Sequence, residues 1–242
     1  MTVATPIRPK VTMTLGHVAQ VLDLSPNFRR LRLTGDFRRF LTGGLHFRFM
    51  IGPEGVALPV ETEAGLDWPG GPEAWHRPPY TVRAMDPLGN WIDIDIFLHA
   101  GGRVTNWSAG LKPGDPVGLT GPGGGGTIAA DWVGLIGDET ALPVILRMIQ
   151  ALPATACGQA FVCVPDPGDV QQVALPHRLR LVWIIGASME APVALLDRLM
   201  LPPSRRFVFF AGEKAQAEAA RLWMARAGLT KDESRAAAYW SR

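Results

Sequence analysis

Through the first half of the chain, apolar and polar side chains alternate every second residue. In HFRFMI, Phe47, Phe49 and Ile51 alternate with His46, Arg48 and Met50. In WIDIDIFLH, Ile92, Ile94 and Ile96 alternate with Trp91, Asp93 and Asp95. A period of two puts one set of side chains on one face of a strand, so each stretch predicts a strand with one buried face. LGHVAQVLDL and FRRLRLTG add two more, with SPN as the turn between them. Glycine and proline punctuate the rest, as in GPEG, WPGGP and LKPGDP. Short, closely spaced strands predict a small antiparallel β-barrel, interrupted by a helical stretch around Asp36–Leu41.

After the glycine run Gly121–Gly126 the rhythm changes. Trp132–Ile136 is a continuous apolar run, followed by the helix-like ETALPVILRMIQAL. Strands are then expected at Ala160–Val164, Leu179–Ile185 and Phe207–Ala211, with a helix over Ala191–Met200 between the last two. The longest helix, KAQAEAARLWMARAG, has Gly228 as its stop. Apolar strands alternating with helices predict a parallel sheet covered on both faces. The chain therefore divides into a β-barrel domain, 11–126, and an α/β domain, 127–242, joined near Gly123–Ala130.

Composition narrows the partners. The 242 residues carry a formal charge of only +2, with no basic stripe of the kind that binds nucleic acid. The pairs Arg29-Arg30, Arg38-Arg39 and Arg205-Arg206 read as solvated faces. Cys157 and Cys163, either side of a turn, lack the neighbouring ligands of a zinc site and read as reduced thiols. MTVATPIRPK has no apolar core for a signal peptide. No apolar run reaches the roughly 18 residues that span a bilayer. The expected location is cytoplasmic, without a membrane partner.

Three stretches carry candidate chemistry. A flavin needs an aromatic against its rings, a hydroxyl near its reactive N5 and a cation for its pyrophosphate. RPPYTVR offers Tyr80, Thr81 and either or both of Arg77 and Arg83; the same residues equally suit a barrel strand with surface arginines. In HAGGRVTNW, backbone N–H groups of a glycine turn form an anion site, to which Thr105 adds a hydroxyl and Arg103 a charge. His99 there suits a structural hydrogen bond as well as a flavin. GDETALP opens a helix after the first parallel strand, where nucleotides approach such sheets. It is not a G-x-G-x-x-G loop, and Asp138 and Glu139 suit helix capping while repelling a pyrophosphate. GPGGGGT lacks the Lys-Ser or Lys-Thr of a phosphate loop and reads as a linker. Neither a catalytic triad nor a metal-ligand cluster is evident, and a flavin enzyme needs neither.

Taken together, these stretches resemble the siderophore-interacting proteins, a branch of the ferredoxin–NADP reductase superfamily. The matching motifs run in order: HFRFMIGP, RPPYTVR, IDIFLH, GGRVTNW, KPGD, GPGG, GDETALPVI, FAGE and the terminal Tyr239-Trp240. The resemblance implies a barrel that binds FAD and an α/β domain that receives NADPH or NADH. It implies that Tyr80 and Thr81 contact the flavin ring as the catalytic pair, and that Arg77 or Arg83 holds its phosphates. Gly102, Arg103, Val104 and Thr105 would cradle the pyrophosphate. Asp138, Glu139, Thr140 and Ala141 would lie beside flavin and nicotinamide, and Val82, Phe97, Leu98, His99 and Trp240 would complete the cofactor site. The implied activity is reduction of Fe(III) held by a siderophore, with Arg48 as a substrate contact because relatives often carry a basic residue there.

The chain departs from the family pattern in places. Pro78 stands where the superfamily's flavin motif has arginine. Trp183 is followed by Ile184, Ile185 and Gly186 rather than a basic residue, so NADPH and NADH both stay open. Other acceptors (free flavin, a quinone), a ferredoxin-linked partner, or binding without turnover are the alternatives.

Overall fold

The computed structural model describes residues 12–44, 46–124, 128–186 and 191–241. The N-terminal stretch MTVATPIRPK and glycines 125–126 of the expected linker lie outside them. The first domain contains β1 (Met13–Ser25), β2 (Phe28–Gly35), α1 (Arg39–Thr42), β3 (His46–Met50) and the hairpin β4 (Val60–Thr62) and β5 (Gly65–Asp67). It continues with β6 (Pro79–Thr81), β7 (Ala84–Met85), β8 (Trp91–Phe97), α2 (Arg103–Ala109) and β9 (Pro116–Gly123). Seven of these strands form one sheet in the order β6-β3-β9-β1-β2-β8-β7, antiparallel at every pairing.

The two ends of that order are consecutive in sequence. Residues 79–81 pair with β3, then Arg83 donates its N–H to the Asp93 carbonyl of β8 at 2.8 Å. RPPYTVR is thus the stave that closes the barrel. The alternation read in WIDIDIFLH holds on the inward side, where Ile92, Ile94 and Ile96 are fully buried. Its polar side is also buried, because the facing strand supplies partners. Arg30 stands opposite Asp95 and Arg32 opposite Asp93; each arginine makes two bonds to its carboxylate, at 2.6–2.8 Å. Two-point charged hydrogen bonds of this kind are the strong ones, and they satisfy carboxylates that water cannot reach.

The second domain holds β10 (Trp132–Gly137), α3 (Leu142–Ala151), β11 (Cys157–Val164), β12 (Arg178–Ile185), α4 (Ala191–Ala194), β13 (Arg206–Glu213), α5 (Lys214–Arg226) and β14 (Ser234–Trp240). Its five strands are parallel in the order β12-β11-β10-β13-β14. α3 buries an apolar face including Val144, Ile145 and Met148, and α5 buries Ala217, Ala220 and Met224.

Four expectations change here. Cys157 and Cys163 do not flank a turn: both lie on β11, where burial pushes the Cys163 thiol up to about 12. The helix expected over Ala191–Met200 is one α-turn followed by a 3-10 turn, Leu195–Arg198. β9 was hidden by its glycines and prolines, and β14, SRAAAYW, by having small residues where a strand usually has branched ones. β14 matters most, because it carries the chain's last aromatics to the domain seam.

That seam is polar and buried. The tip of the β1–β2 hairpin meets Asp169, which is fully buried. Asp169 accepts from the Ser25 hydroxyl (2.6 Å), the Asn27 N–H (3.1 Å) and the Asn27 side-chain amide (2.8 Å). Phe28, next in sequence, is a barrel residue packed into the core of the α/β domain. From α3, Arg147 donates to the Val82 carbonyl, while Arg83 reaches back to Gln150 Oε1 at 2.6 Å. Replacing Asp169 by alanine leaves three donors unpaired at a buried interface, an expected loss of roughly 2–4 kcal/mol. Calorimetry should show the Asp169→Ala chain melting earlier and in two separated steps; a single unshifted transition would mean that this clamp does not couple the domains.

Candidate functional site

Antiparallel pairing of β3 with β6 sets His46 opposite Thr81, Phe47 opposite Tyr80 and Arg48 opposite Pro79. Opposed residues share a face, so the closing stave presents two different sides. Tyr80 lies over the barrel's aromatics, its ring centroid 5.0 Å from Phe49 and 6.5 Å from Phe47. Burial raises its phenol well above the ordinary tyrosine range, so the hydroxyl stays neutral. Thr81 faces the seam, where its hydroxyl lies 3.2 Å from His46 Nδ1. The Tyr239 hydroxyl, delivered by β14, lies 3.4 Å from His46 Nε2. One residue further, the Trp240 indole N–H donates to Asp138 Oδ2 at 2.8 Å.

The N-cap of α3 is Ala141, without a side-chain cap bond, so Asp138 does not cap the helix as expected from GDETALP but ties up the turn that leads into it. Its Oδ1 accepts from the Thr140 N–H (3.0 Å), the Thr140 hydroxyl (2.5 Å) and the Ala141 N–H (3.3 Å). Burial lifts the Asp138 pKa while these bonds pull it down. Gly212, of FAGE, is required beneath it: a Cβ there would sit 2.7 Å from Asp138 Oδ2. Glu139 beside it is pushed up to about 7, by burial first and then by the charge of Asp138.

At the other end of the stave lies a cleft of about 500 Å³ lined by Arg48, Arg77 and Arg103 together with Glu73, Trp75 and His76. Arg48 donates to the Arg77 carbonyl at 2.8 Å, and the Arg77 guanidinium sits 5.1 Å from the Trp68 ring centre. Arg103 opens α2 directly after the glycine turn. That turn is tight: a Cβ on Gly102 would lie 2.7 Å from His99 Nε2 and 2.8 Å from Thr105 Oγ1. His99 donates its N–H to the Thr105 hydroxyl, and its carbonyl accepts from Gly102. The Gly102 N–H is thereby occupied. The N–H groups left by the first helical turn are those of Arg103, Val104 and Thr105.

The structure therefore brings Arg77 and Arg103 together and joins Arg48 to them. Arg83 lies elsewhere. It is almost fully buried between Gln150 and Asp95, its Nε 3.8 Å from Asp95 Oδ2, so among the arginines of RPPYTVR it is Arg77 that lines the cleft. Val82 and Val104 point into the barrel core and Ala141 into the α/β core, leaving only their main chain for any ligand. Leu98 also packs on the barrel core, while Phe97 turns to the seam and packs on Phe28 with a 5.5 Å centroid distance. His46 and Tyr239 were not legible as site residues. His46 read as the polar member of an alternating pair, and nothing local tells that β14 will bring Tyr239 beside it. Among the described residues, no histidines, cysteines and carboxylates cluster as a metal site, and no helix is long and apolar enough to cross a membrane.

An antiparallel barrel closed by a Tyr-Thr stave and docked on a five-stranded parallel sheet is a ferredoxin reductase-like fold. Residues 17–126 match the siderophore-interacting FAD-binding domain and residues 130–242 the siderophore-interacting protein family, so this chain belongs to the siderophore-interacting proteins. The siderophore-interacting protein SipS of Aeromonas hydrophila superposes with a TM-score of 0.80 at 29% identity, covering 97% of this chain and 100% of that one. An NADPH-dependent ferric-chelate reductase of Escherichia coli is 29% identical over 237 residues, 92% of this chain and 91% of the relative. An uncharacterised protein of Mycobacterium tuberculosis is 40% identical over 114 residues, a match spanning 45% of this chain and only 40% of the relative.

Glu139 supplies a test of the site's electrostatics. Its folded pKa of about 7 exceeds the ordinary carboxylate value of 4.5. A raised pKa means that Glu139's contribution to stability is fully present below pH 4.5 and is lost as pH climbs to about 7. In urea melts at pH 5 and pH 8, Glu139→Gln should fall less than the parent chain; equal losses would show that Glu139 is not held in a desolvated position.

Proposed function

We propose that this chain holds FAD along the closing stave and passes electrons from NADPH or NADH to siderophore-bound Fe(III), releasing Fe(II). One observation carries the reading: an unbroken run of contacts from the three-arginine cleft, through Tyr80 and Thr81, to His46, Tyr239, Trp240 and Asp138. A dinucleotide needs cations at its phosphates and an aromatic and a hydroxyl at its ring, in that spatial order. The donor set fits. Arg77, Arg103 and the free N–H groups of α2 suit a pyrophosphate, and the half-buried Tyr80 ring and the Thr81 hydroxyl suit an isoalloxazine. When bound, the flavin supplies the exchange between a two-electron donor and a one-electron metal acceptor.

The protein's own residues do the rest. The arginines neutralise the phosphates, and Tyr80 and Thr81 orient the ring against the barrel. Trp240, pinned by Asp138, shapes the side that opens toward the parallel sheet, where a nicotinamide arrives. Arg48 extends the positive field of the cleft outward and attracts an anionic ferric complex. The E. coli relative, an NADPH-dependent ferric-chelate reductase, supports both donor and acceptor. Siderophores offer hard oxygen ligands, which hold the less charged Fe(II) far more weakly.

The Asp138–Glu139 loop supports a second reading, in which reduced ferredoxin replaces the nicotinamide, because two carboxyl groups at the sheet's ligand end repel a second pyrophosphate. Stopped-flow mixing of the FAD-loaded chain with NADH or NADPH, followed by a ferric siderophore, separates the two. Bleaching by a nicotinamide and recovery by the ferric complex is expected; no bleaching by either nicotinamide, with the ferric complex still reoxidising chemically reduced flavin, would shift the donor to ferredoxin. Absence of flavin binding after reconstitution would end both readings. Arg77→Ala and Arg103→Ala should each weaken FAD binding about 10- to 100-fold, the loss of one charged hydrogen bond, read by fluorescence titration. Thr81→Val should keep the bound flavin and slow its turnover.

A further inference from the structure

A dinucleotide lies across the carboxyl ends of parallel strands, at the point where the winding order reverses. In the order β12-β11-β10-β13-β14 that point falls between β10 and β13. Thr81, Tyr239 and Trp240 mark the flavin end, toward β14. The adenosine end of a dinucleotide therefore falls toward β11 and β12. On the α3 side the end of β11 is covered by the barrel, where Asp169 holds Ser25 and Asn27 and Gly168 lies against Pro26. The end of β12 is open. There Ile185 is 49% exposed, and Gly186 turns the chain at φ +66° with open space where a side chain would stand.

We propose that the donor for this site is NADH rather than NADPH: the adenosine ribose meets the end of β12, where an exposed isoleucine stands beside the carboxylates that follow β11 and the sequence supplies no cation for a 2′-phosphate. The proposal rests on the flavin reading, since a nicotinamide must arrive against a bound flavin. Both dinucleotides give up the same hydride, two electrons and one proton, and leave as the oxidised nicotinamide. Only the adenosine end tells them apart. NADPH carries there a phosphate monoester, with about two further negative charges at neutral pH. The Escherichia coli relative is NADPH-dependent, so the proposal separates this chain from it.

The charges at this edge run one way. Asp138 and Glu139 follow β10, Asp166 and Asp169 follow β11, and β13 ends on Glu213. The sequence holds no lysine or arginine between Lys112 and Arg147, between Arg147 and Arg178, or between Arg180 and Arg198, so the turns after β10, β11 and β12 contain none. The flanking arginines are committed or distant. Arg147 donates to the Val82 carbonyl at the barrel, and Arg198 lies over the Phe161 ring at 5.7 Å. Arg180 stands five residues before Ile185, roughly 16 Å down the strand. The start of α5 is no free anion site either, because Glu213 Oε2 accepts the N–H groups of Ala215 (2.6 Å) and Gln216 (3.1 Å). Lys214 follows β13 at the reversal point, where it suits the pyrophosphate that both dinucleotides share, and Arg242 follows β14, the strand nearest the flavin, in the sequence. A further phosphate at the β12 end meets a field of its own sign and gains no charged partner.

The test mixes the FAD-loaded chain anaerobically with NADH or NADPH at several KCl concentrations and follows flavin bleaching. NADH should reduce the flavin with a second-order rate about 10-fold higher at low salt, and the ratio should fall toward one as KCl screens the repulsion. Calorimetric titration with NAD+ and NADP+, which involves no electron transfer, should show the same order of affinity. Ile185→Arg places a cation at the exposed end of β12. It should raise the NADPH rate and the NADP+ affinity about 10-fold, change the NADH values far less and leave FAD affinity unchanged. An NADPH rate or NADP+ affinity equal to or above that of the unphosphorylated dinucleotide in the parent chain overturns the proposal and leaves the flavin reading intact. So does folded Ile185→Arg protein in which the NADPH values do not move. Should Ile185→Arg not fold, the parent chain decides alone, and a preference that salt does not reduce overturns the proposal. If neither nicotinamide binds or bleaches a flavin that dithionite reduces and a ferric siderophore reoxidises, the proposal falls and the donor passes to ferredoxin. A chain that binds no FAD overturns the flavin reading and the proposal with it.

Discussion

Arg147 reaches from α3 to the carbonyl of Val82, one residue past Thr81, and Arg83 reaches from the same strand back to Gln150. The strand that closes the barrel is therefore also the strand on which the second domain is seated. A closing strand so short, Pro79–Thr81 on one side and Ala84–Met85 on the other, has few ladder bonds of its own. Its position is set from outside by α3, and from beneath by the aromatic packing of Tyr80. Any ligand lying along it inherits that geometry, which is why the Asp169 clamp and the insertion of Phe28 bear on the site from a distance. If the domains shift, Thr81, His46 and Tyr239 no longer meet.

Charge is distributed along the same line in one direction. Guanidinium groups gather at the cleft end, where Arg48, Arg77 and Arg103 come from three separate segments. Carboxyl groups gather where β10 ends, at Asp138 and Glu139, and both are lifted by burial. Between them stand hydroxyls and the His46 imidazole, whose pKa is lowered by burial first and then by Arg235 and Arg147. A redox cofactor placed there meets positive field at its phosphates and a less polar environment at its ring. Asp138 spends its carboxylate on the GDET loop and on Trp240, so its charge serves as scaffold before it serves as chemistry.

Much of this was legible in the chain before any coordinates. The alternation of Phe47 with Phe49 and of Ile92, Ile94 and Ile96 marked barrel strands because a strand's side chains alternate regardless of what surrounds it. The change of rhythm after Gly121–Gly126 marked the parallel sheet for the same local reason. GDETALP was readable as the entry to a helix, since the Asp138 bonds that shape its turn reach only two and three residues ahead. RPPYTVR and GGRVTNW offered the right side chains for a flavin, and family membership confirms the FAD-binding domain that they imply.

What the tertiary structure alone decided was partnership across long separations. Whether Arg77 or Arg83 lines the cleft depends on which way the closing stave turns against α3, and no local pattern records that. Asp93 and Asp95 looked solvated because their partners, Arg32 and Arg30, stand about sixty residues earlier. β14 lacked any strand signature, for its place is stabilised by β13 beside it rather than by the preferences of alanine. His46 and Tyr239 stand 193 positions apart, and their meeting at Thr81 needs both sheets and the seam between them. Short-range sterics and periodicity operate within a few residues and can be read there; the convergence of side chains from β3, β6 and β14 is a property of packing, which only the folded chain possesses.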